Sequence, residues 1–265
     1  MDITTIIGIL LGILSLIGGF ALEGGHLGSL WVYTAAIIVF GGTFAAVIIS
    51  FPLSSLKDVP KALGMAFRES KRDPGQIIDE IVDMATIARR EGVLALEQRA
   101  QDHPNPFLRE GLLMVVDGTD PELTRQILEL EMDALESKYE GYAKIFESAG
   151  GYAPTIGIIG TVLGLIHVLG NLTDPDSLGP KIAVAFTATL YGVASANLLY
   201  LPLGSKIKNR SNGIISDMEL MLEGILALQA GENPQLIKKK LTSFLHDKED
   251  MKNAEAGAGA NGEEK

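Results

Sequence analysis

Long stretches without charged residues constrain this sequence more than any other feature. The first 56 residues carry only two charges, Asp2 and Glu23, and contain no lysine or arginine. Residues 148–173 and 182–205 contain no Asp, Glu, Lys or Arg. A hydrocarbon core about 30 Å thick is crossed by roughly 20 apolar residues in a helix, because an α-helix rises about 1.5 Å per residue. The sequence therefore predicts an all-α, polytopic membrane protein.

Four segments are long and apolar enough to span a membrane. A signal peptide is the alternative interpretation of the first, but that segment lacks a positively charged start and a second span follows it at once. We therefore predict four transmembrane helices in the mature chain. They run from Ile3 to Ala21, from Leu30 to Phe51, from Tyr152 to Leu169 and from Ile182 to Leu203.

The positions of the basic residues predict the orientation of these spans. Of the 22 lysines and arginines, twelve lie between Lys57 and Lys144 and nine between Lys206 and Lys265, which leaves only Lys181 outside those two regions. Segments rich in lysine and arginine stay on the cytoplasmic side of a membrane. We therefore predict that both termini and the long central segment are cytoplasmic.

The spans divide the chain into five regions. The central segment has 19 carboxylates and 12 basic residues, and this acidic balance disfavours nucleic-acid binding, which requires a basic patch. The chain has no cysteine, and its histidines have no neighbours that suggest a metal site, so we expect no metal and no cofactor. The predicted regions are membrane helices 1 and 2 at 1–56, a cytoplasmic helical segment at 57–147, membrane helices 3 and 4 at 148–204, a cytoplasmic helical extension at 205–250 and a disordered acidic tail at 251–265.

Apolar residues recur at helical spacing in both cytoplasmic regions. They predict a helix through residues 77–88, a second short helix over VLALEQRAQ (93–101), and a long helix that begins at Pro121, is capped by Asp120 and points at the third span. We therefore expect long cytoplasmic extensions of membrane helices 3 and 4. The predicted apolar face of the long helix contains residues 123, 127, 130, 135, 142, 145 and 146, and a predicted seam after the fourth span contains residues 214, 218, 221, 225 and 228.

The third and fourth spans each carry a face of small residues with one hydroxyl group. Small residues let membrane helices pack closely, and a helical threonine commonly bonds the carbonyl four residues earlier. The alternative interpretation is that Thr161 and Thr189 line a polar path. No span contains an ionisable carboxylate or a basic residue, so an ion path through this chain needs such a group from another polypeptide. The small residues of the two faces are Gly157, Gly160 and Gly164 on the third span and Ala185, Gly192 and Ala196 on the fourth.

Three stretches of the sequence carry a specific resemblance. PTIGIIGTVLGLIHVLGN (154–171), TLYGVASANLLYLP (189–202) and ARREGVLALE (88–97) resemble segments of the MotA/PomA family of flagellar stator subunits. That family lies within the MotA/TolQ/ExbB proton-channel superfamily. The four-span topology and the large second cytoplasmic segment match as well, so the resemblance covers essentially the whole chain.

The resemblance implies a function and a set of partners. Subunits of this family lie in the bacterial inner membrane and form a ring, a pentamer, around the helices of a single-span MotB/PomB-type protein. That partner binds peptidoglycan and supplies the ion-carrying aspartate. In this family, transported H+ or Na+ turns the ring, which drives the rotor protein FliG. The expected contacts of the chain are therefore this partner, FliG, other copies of itself and membrane lipid, and it is not expected to be an enzyme.

Four residues match functional positions of the family. Pro154 and Pro202 match prolines implicated in coupling conformational change to ion flux, and Arg89 and Glu97 match the charged pair that engages FliG. From the residues alone, a helix start is the more common role for a proline like Pro154, and a static kink is the more common role for one like Pro202. Exposed arginine and glutamate are most often ordinary solvated charges.

The sequence leaves the coupling ion and one alternative class open. Threonines at 161 and 189 suit sodium, as in PomA, yet proton-driven ExbB/TolQ proteins retain a threonine at the first position. His167 is a candidate proton relay near the outer end of the third span, although interfacial histidines are more often structural. The alternative function is an ExbB/TolQ-type energiser of outer-membrane processes, which normally has three spans, and a third is a non-conducting scaffold. No catalytic constellation favours an enzyme.

Overall fold

The computed structural model describes residues 2–68, 72–170 and 178–245, and in these ranges the chain forms helices and turns with no β-strand. The predicted tail at 251–265 lies outside the described residues. Four stretches are long and apolar enough to cross a membrane, and the last two continue far beyond the length that a membrane requires. The predicted all-α architecture with long extensions of membrane helices 3 and 4 is thus confirmed. The four stretches are Ile3–Leu22, Leu27–Ser50, Pro121–Leu169 and Leu178–Gln229.

Twelve α-helices follow one another along the described chain, with short 3-10 and π turns between some of them. They are α1 (Ile3–Leu22), α2 (Tyr33–Ala36), α3 (Gly42–Ser50), α4 (Leu53–Leu56), α5 (Val59–Phe67), α6 (Pro74–Glu91), α7 (Glu97–Gln101), α8 (Pro106–Val116), α9 (Pro121–Leu169), α10 (Leu178–Ser195), α11 (Leu201–Gln229) and α12 (234–245).

Two of the spans contain a π-helical turn. Ile37–Gly41 joins α2 to α3, and Ala196–Tyr200 joins α10 to α11. The second turn ends two residues before Pro202, the second residue of α11. Proline lacks an N–H and its ring crowds the carbonyl four residues earlier, so a locally widened turn accommodates it without ending the helix.

Pro154 lies in the interior of α9. The interpretation of this residue as a helix start was therefore wrong. Its ring removes one hydrogen bond to the Gly150 carbonyl, and a membrane helix tolerates that loss because neighbouring groups stabilise the helix on both sides. The helix instead begins at Pro121, where the Asp120 carboxylate accepts hydrogen bonds from the N–H groups of Glu122 (3.0 Å) and Leu123 (3.3 Å), as the predicted cap requires.

The chain forms two compact units. Unit 1 contains the described residues of 1–70 and 137–211, and unit 2 contains those of 71–136 and 212–265. Helices α9 and α11 contribute residues to both. This division rests on contacts within the chain and not on membrane topology, so the predicted boundaries after residues 56, 147, 204 and 250 stay predictions.

Unit 2 has one large apolar core. The predicted stripe along α6 and the predicted seam along α11 both lie in it, which confirms these two assignments. Helix α8 was not predicted, although Asn105 caps it and Pro106 opens it, and its apolar residues recur at helical spacing. The most deeply buried side chains of this core include Ile81, Leu96, Leu108, Leu112, Leu128, Leu220 and Ile225.

The predicted buried face of α9 was wrong in its first turns. Leu123 and Leu130 are 48% and 69% exposed, whereas Leu128 and Met132 lie in the core. The segment ILELEM offers two apolar stripes one residue apart, and spacing alone does not decide between them. Packing against α8 and α11 selects the stripe that includes Leu128.

A charged cluster fixes the start of α1. The Asp2 carboxylate caps the helix by accepting a hydrogen bond from the Thr4 N–H (3.1 Å), and it lies 2.7 Å from both the Lys206 ammonium and the Arg210 guanidinium. The Asp2 N–H donates to the carbonyl of Phe67 at the end of α5 (2.8 Å). The hydrogen bond from Lys206, followed by those from Thr4 and Arg210, holds the pKa of Asp2 well below its ordinary range. The cluster ties α1, which has no buried residue, to α5 and α11.

Candidate functional site

The small residues of the third and fourth spans bring the backbones of α9 and α10 into contact. A Cβ atom on Gly157 would lie 2.8 Å from the Ala188 carbonyl oxygen, and one on Gly164 would lie 2.6 Å from the Ala185 Cβ. A Cβ on Gly192 would clash with the carbonyl oxygen of Ala153. Larger side chains at these positions are therefore incompatible with the observed helix separation.

Two threonine hydroxyls meet at this contact. The Oγ1 atoms of Thr161 on α9 and Thr189 on α10 are 2.6 Å apart. Thr161 also donates towards the carbonyl of Ala185 at 3.0 Å, and both hydroxyls lie within 3.4 Å of the Gly157 carbonyl. The structure thus brings the two predicted residues together into one hydrogen-bonded pair.

Both protons of this pair can be used within the chain, and Thr189 Oγ1 keeps a free lone pair whichever hydroxyl donates to the other. Each threonine hydroxyl has one proton and two lone pairs. When Thr161 donates to Ala185 and Thr189 donates to Thr161, both protons are used within the chain, and the lone pairs of Thr189 Oγ1 stay free. Thr161 is only 9% exposed whereas Thr189 is half-buried, so Thr189 presents the more accessible oxygen. The pair can therefore accept a hydrogen bond or bind a cation, and it carries no charge of its own.

The other predicted small residues also lie in contacts within the chain. A Cβ on Gly160 would lie 2.8 Å from the Ala188 Cβ and 3.3 Å from a methyl group of Ile38 in the second span. Ala185 and Ala196 are buried. These contacts agree with the close-packing interpretation of the small-residue faces. That the same faces also surround a partner helix stays a prediction.

The two predicted coupling prolines lie near one contact of α9 with α11. Pro154 deprives the Gly150 carbonyl of its helical donor, and Gly150 packs against Leu201, the residue before Pro202. A Cβ on Gly150 would lie 2.6 Å from a Leu201 methyl carbon. The backbone groups that the two prolines weaken therefore belong to one region of unit 1.

Arg89 and Glu97 flank a sharp turn on the surface of unit 2. Arg89 is in the last turn of α6, the chain reverses at Gly92 with a φ of +88°, and Glu97 begins α7. Both side chains are exposed, as is Leu94 between them. Arg89 makes no hydrogen bond or ion pair with the residues that the structure describes, and Glu97 accepts one bond, from the Gln101 amide (3.2 Å). The turn thus presents two charges of opposite sign to an external partner.

His167 lies apart from the hydroxyl pair. It lines a cavity of about 460 Å³ between the second, third and fourth spans, together with Gly164 and Lys181. Its proposed relay role stays a prediction. Within residues 2–68, 72–170 and 178–245, no three His, Asp or Glu side chains are grouped so that they could hold a metal ion.

One polar contact of the membrane helices was not predicted. The Tyr191 hydroxyl donates to the Leu30 carbonyl and accepts from the Val32 N–H (3.1 Å), which fastens α10 to the turn before α2. The sequence does show a tyrosine inside an apolar span, and a buried tyrosine hydroxyl needs a hydrogen-bond partner. Nothing in the sequence shows that the partner is a backbone 159 positions away.

Comparison with known proteins gives the class of this chain. Residues 99–220 match the model of the MotA/TolQ/ExbB proton channel family, and residues 6–92 match that of the motility protein A N-terminal region. Four apolar spans and a hydroxyl pair on the last two agree with a membrane protein of that class.

Full-length relatives define the family within the class. The chain is 39% identical to motility protein A of Bacillus subtilis over 100% of its own length and 98% of that protein, and 33% identical to the chemotaxis protein PomA of Vibrio alginolyticus over 93% and 96%. It also resembles a chain of the solved flagellar MotAB stator complex from Bacillus subtilis, with a TM-score of 0.88, 38% identity, and coverage of 96% of this chain and 100% of that one. The chain belongs to the MotA/PomA family of flagellar stator subunits.

This membership confirms the predicted family and the prediction that the chain is not an enzyme, because the family consists of ion-channel and torque-generating subunits. The match to the motility protein A N-terminal region favours a stator subunit over the ExbB/TolQ-type alternative. The chain is therefore a multi-pass membrane protein of the flagellar motor.

Proposed function

We propose that the chain is the ring-forming subunit of an ion-driven stator that converts H+ or Na+ flow into torque on the rotor protein FliG. The observation that carries this proposal is the Thr161–Thr189 hydroxyl pair in spans that contain no ionisable carboxylate or basic residue. Such a pair can bind a cation or a proton donor but cannot carry an ion alone. The titratable carboxylate must then come from a single-span partner of the MotB/PomB type.

The free lone pairs of Thr189 suit either ion. A protonated carboxyl group of the partner would donate a hydrogen bond to this oxygen, and a dehydrated sodium ion would use the same oxygen as a ligand. Neutralising the carboxylate removes the cost of keeping a charge in the membrane. The partner helix then passes the apolar surface of α9 and α10 more easily than it does when charged. Ion binding and helix movement are linked in this way.

The two prolines lie where movement of the partner helix can be transmitted to the cytoplasmic side. Pro154 and Pro202 each remove one helical hydrogen bond, and the Gly150–Leu201 contact joins the two weakened turns. A shift of α9 at this level therefore displaces α11. This coupling role, a pentameric ring in the bacterial inner membrane and cytoplasmic termini are parts of the proposal. They are supported by the full-length similarity to motility protein A and to the MotAB stator structure.

The Arg89–Glu97 turn is the proposed contact with FliG. Charges that pair with no described residue of the chain are available to a partner, and opposite charges at an interface give orientation and fast, salt-sensitive association more than tight binding. A motor contact has to form and release at each step, and such charges suit it. The exposed Leu94 adds a small apolar contact between them.

The hydroxyl pair is tested by Thr189→Val, co-expressed with the partner in a host that lacks its own stator. We expect ring assembly to persist, since valine has nearly the same shape, and ion-driven rotation to be lost. Thr187→Val is the matched control: Thr187 is buried two residues away on α10 and bonds its own helix at the Ala183 carbonyl (3.0 Å). Normal rotation of Thr189→Val cells would contradict the proposal.

The coupling ion follows from the same preparations. Ion flux into vesicles that contain the complex is measured with a sodium gradient alone and with a proton gradient alone. The gradient that drives flux in the wild type and in Thr187→Val, but not in Thr189→Val, identifies the ion. Flux under neither gradient in any of the three proteins would contradict an ion-conducting role.

The rotor contact is tested separately by Arg89→Glu. We expect torque to fall severalfold while ion flux through the complex is unchanged, because Arg89 lies on the surface of unit 2. Arg99→Glu is the matched control, since Arg99 already pairs with Asp83 at 2.7 Å within the chain and has less to offer a partner. Equal loss of torque in both variants would show that net charge, and not the Arg89–Glu97 turn, matters.

A further inference from the structure

A large apolar cavity lies between the first, second and fourth spans, and neither threonine of the hydroxyl pair lines it. Its volume is about 890 Å³, and its walls include Ile9 and Phe20 of α1, Trp31 before α2, and Ala194 of α10. We propose that this cavity binds an acyl chain of a membrane phospholipid. The inference requires only that the chain spans a membrane and does not depend on the ion-coupled role.

The depth of the cavity matches one leaflet. Along α1 its wall extends from Ile9 to Phe20, which at a rise of about 1.5 Å per residue corresponds to about 16 Å, close to half of a hydrocarbon core about 30 Å thick. Trp31 and Tyr33 stand at the rim and are 86% and 73% exposed. Tryptophan and tyrosine favour the level of the lipid headgroups. The cavity thus starts at the interface and ends near the middle of the bilayer.

The polar side chains that α10 contributes to the cavity wall are already paired inside the chain, and the other two, those of Trp31 and Tyr33, stand at the rim. The Tyr191 hydroxyl bonds both Leu30 and Val32, and the Ser195 hydroxyl donates to the Gly192 carbonyl (3.1 Å). An occupant therefore meets hydrocarbon surface and needs no hydrogen bond of its own. Water, which needs two or more polar partners, is a poor occupant of such a site.

The volume of the cavity is large enough for an acyl chain. Spread over a length of about 16 Å, the volume of about 890 Å³ corresponds to a mean cross-section of about 56 Å². Flexible hydrocarbon fits such a space and follows its irregular walls.

The single tryptophan of the chain makes the site measurable. Trp31 lines the cavity, so bromine atoms on a bound acyl chain would quench its fluorescence. The full-length protein is equilibrated in mixed micelles with phosphatidylcholine brominated at the middle of its acyl chains, and is then diluted into an excess of unbrominated phosphatidylcholine micelles. We expect a fast recovery of fluorescence from surrounding lipids, followed by a slow recovery from the lipid in the cavity.

Variants that fill the cavity supply the decisive comparison. Ala194→Phe and Ala36→Phe, from two different walls, should each lose the slow recovery, while Ala45→Phe on the exposed face of α3 should keep it. Far-UV circular dichroism and oligomer size, measured for all proteins, show that each variant is folded. A wild type with only the fast recovery would overturn the proposal, as would a slow recovery that persists in both folded cavity variants. Loss of oligomers in Ala194→Phe, with no slow phase in the wild type, would assign the cavity to a second copy of the chain instead.

Discussion

The two units of this chain use the same long helices but hold them together by different means. In unit 1, α9 meets α10 through small residues such as Gly157 and Gly192. In unit 2, the earlier part of α9 and the later part of α11 meet through large side chains such as Leu128 and Ile225. Lipid provides no hydrophobic drive between helices, so a membrane contact depends on close backbone approach. In water, burial of apolar area itself stabilises the contact.

Glycines in the two units show the consequence of this difference. A Cβ on Gly192 would clash with a backbone carbonyl, which cannot move without shifting a helix. A Cβ on Gly111 in unit 2 would clash with the end of the Ile225 side chain, which can change rotamer. Unit 1 should therefore not tolerate an added methyl group at Gly192, whereas unit 2 can repack around one at Gly111.

The largest expected effect follows from Gly192→Ala. One methyl group forces α9 and α10 apart, and we expect destabilisation by about 2–3 kcal/mol, in the upper range for overpacked sites, together with loss of the Thr161–Thr189 pair. The measurement is the thermal unfolding midpoint of the full-length protein in detergent. Gly19→Ala on α1, where nothing lies within 4 Å, is the control for the substitution itself.

Gly111→Ala is the matched variant from unit 2. Repacking of Ile225 costs free energy, but replacing glycine by alanine inside a helix gains about 1 kcal/mol, so we expect a net change near zero. If Gly111→Ala destabilised the protein as much as Gly192→Ala does, the contrast between the two units would be wrong.

A smaller effect is expected for Asp2→Asn, and it should depend on pH. The pKa of Asp2 in the folded chain is lowered by its bonds to Lys206, Thr4 and Arg210. A lowered folded-state pKa means that the stabilisation is present above the ordinary carboxyl pKa of about 3.9 and is lost as pH falls through the folded value. The gap in unfolding midpoint between wild type and Asp2→Asn should therefore stay constant from pH 8 to about pH 5 and narrow only in stronger acid.

Glu23→Gln provides the comparison for this variant, because it removes a carboxylate from the other end of α1, where the described residues offer it no ion pair. We expect its unfolding midpoint to follow that of the wild type. If the difference in unfolding midpoint between wild type and Asp2→Asn stayed constant down to the lowest accessible pH, the charge of the Asp2 carboxylate would not be what stabilises the folded chain.

The sequence predicts the membrane part of this fold well because lipid imposes simple rules. Charge-free runs locate the spans, and the cap formed by Asp120 locates the start of α9. Helical spacing also places Thr161 and Thr189 on faces of small residues. It does not reveal that the two hydroxyls bond each other, because spacing along one helix contains no information about the rotation of its neighbour.

Other features escape the sequence for different physical reasons. The Asp2 cluster joins residues as much as 208 positions apart, so no local pattern indicates it. The buried stripe of α9 was assigned one residue away from Leu128, because two apolar stripes are equally helical and tertiary packing chooses between them. Pro154 suits a helix start as a residue type, yet it lies inside α9, where the membrane environment tolerates it.

The smallest expected effect concerns Glu131 in unit 2. The pKa shift of Glu131 is opposite in sign to that of Asp2, and so is its effect on stability as pH changes. Burial, and then the neighbouring Glu110 carboxylate, raise the pKa of Glu131. A carboxyl group whose folded-state pKa is raised favours the folded chain fully only below its unfolded pKa of about 4.3, and this contribution is lost as pH rises through the folded value. Glu131→Gln should therefore match the wild type near pH 4 and be more stable at pH 7, by a few tenths of a kcal/mol because solvent screens a half-buried group. Glu129→Gln, two residues away, removes the 3.5 Å ion pair with Arg125 and should not be stabilising at pH 7. Equal unfolding midpoints of Glu131→Gln and wild type at both pH values would show that burial and the Glu110 carboxylate do not destabilise the ionised Glu131 side chain.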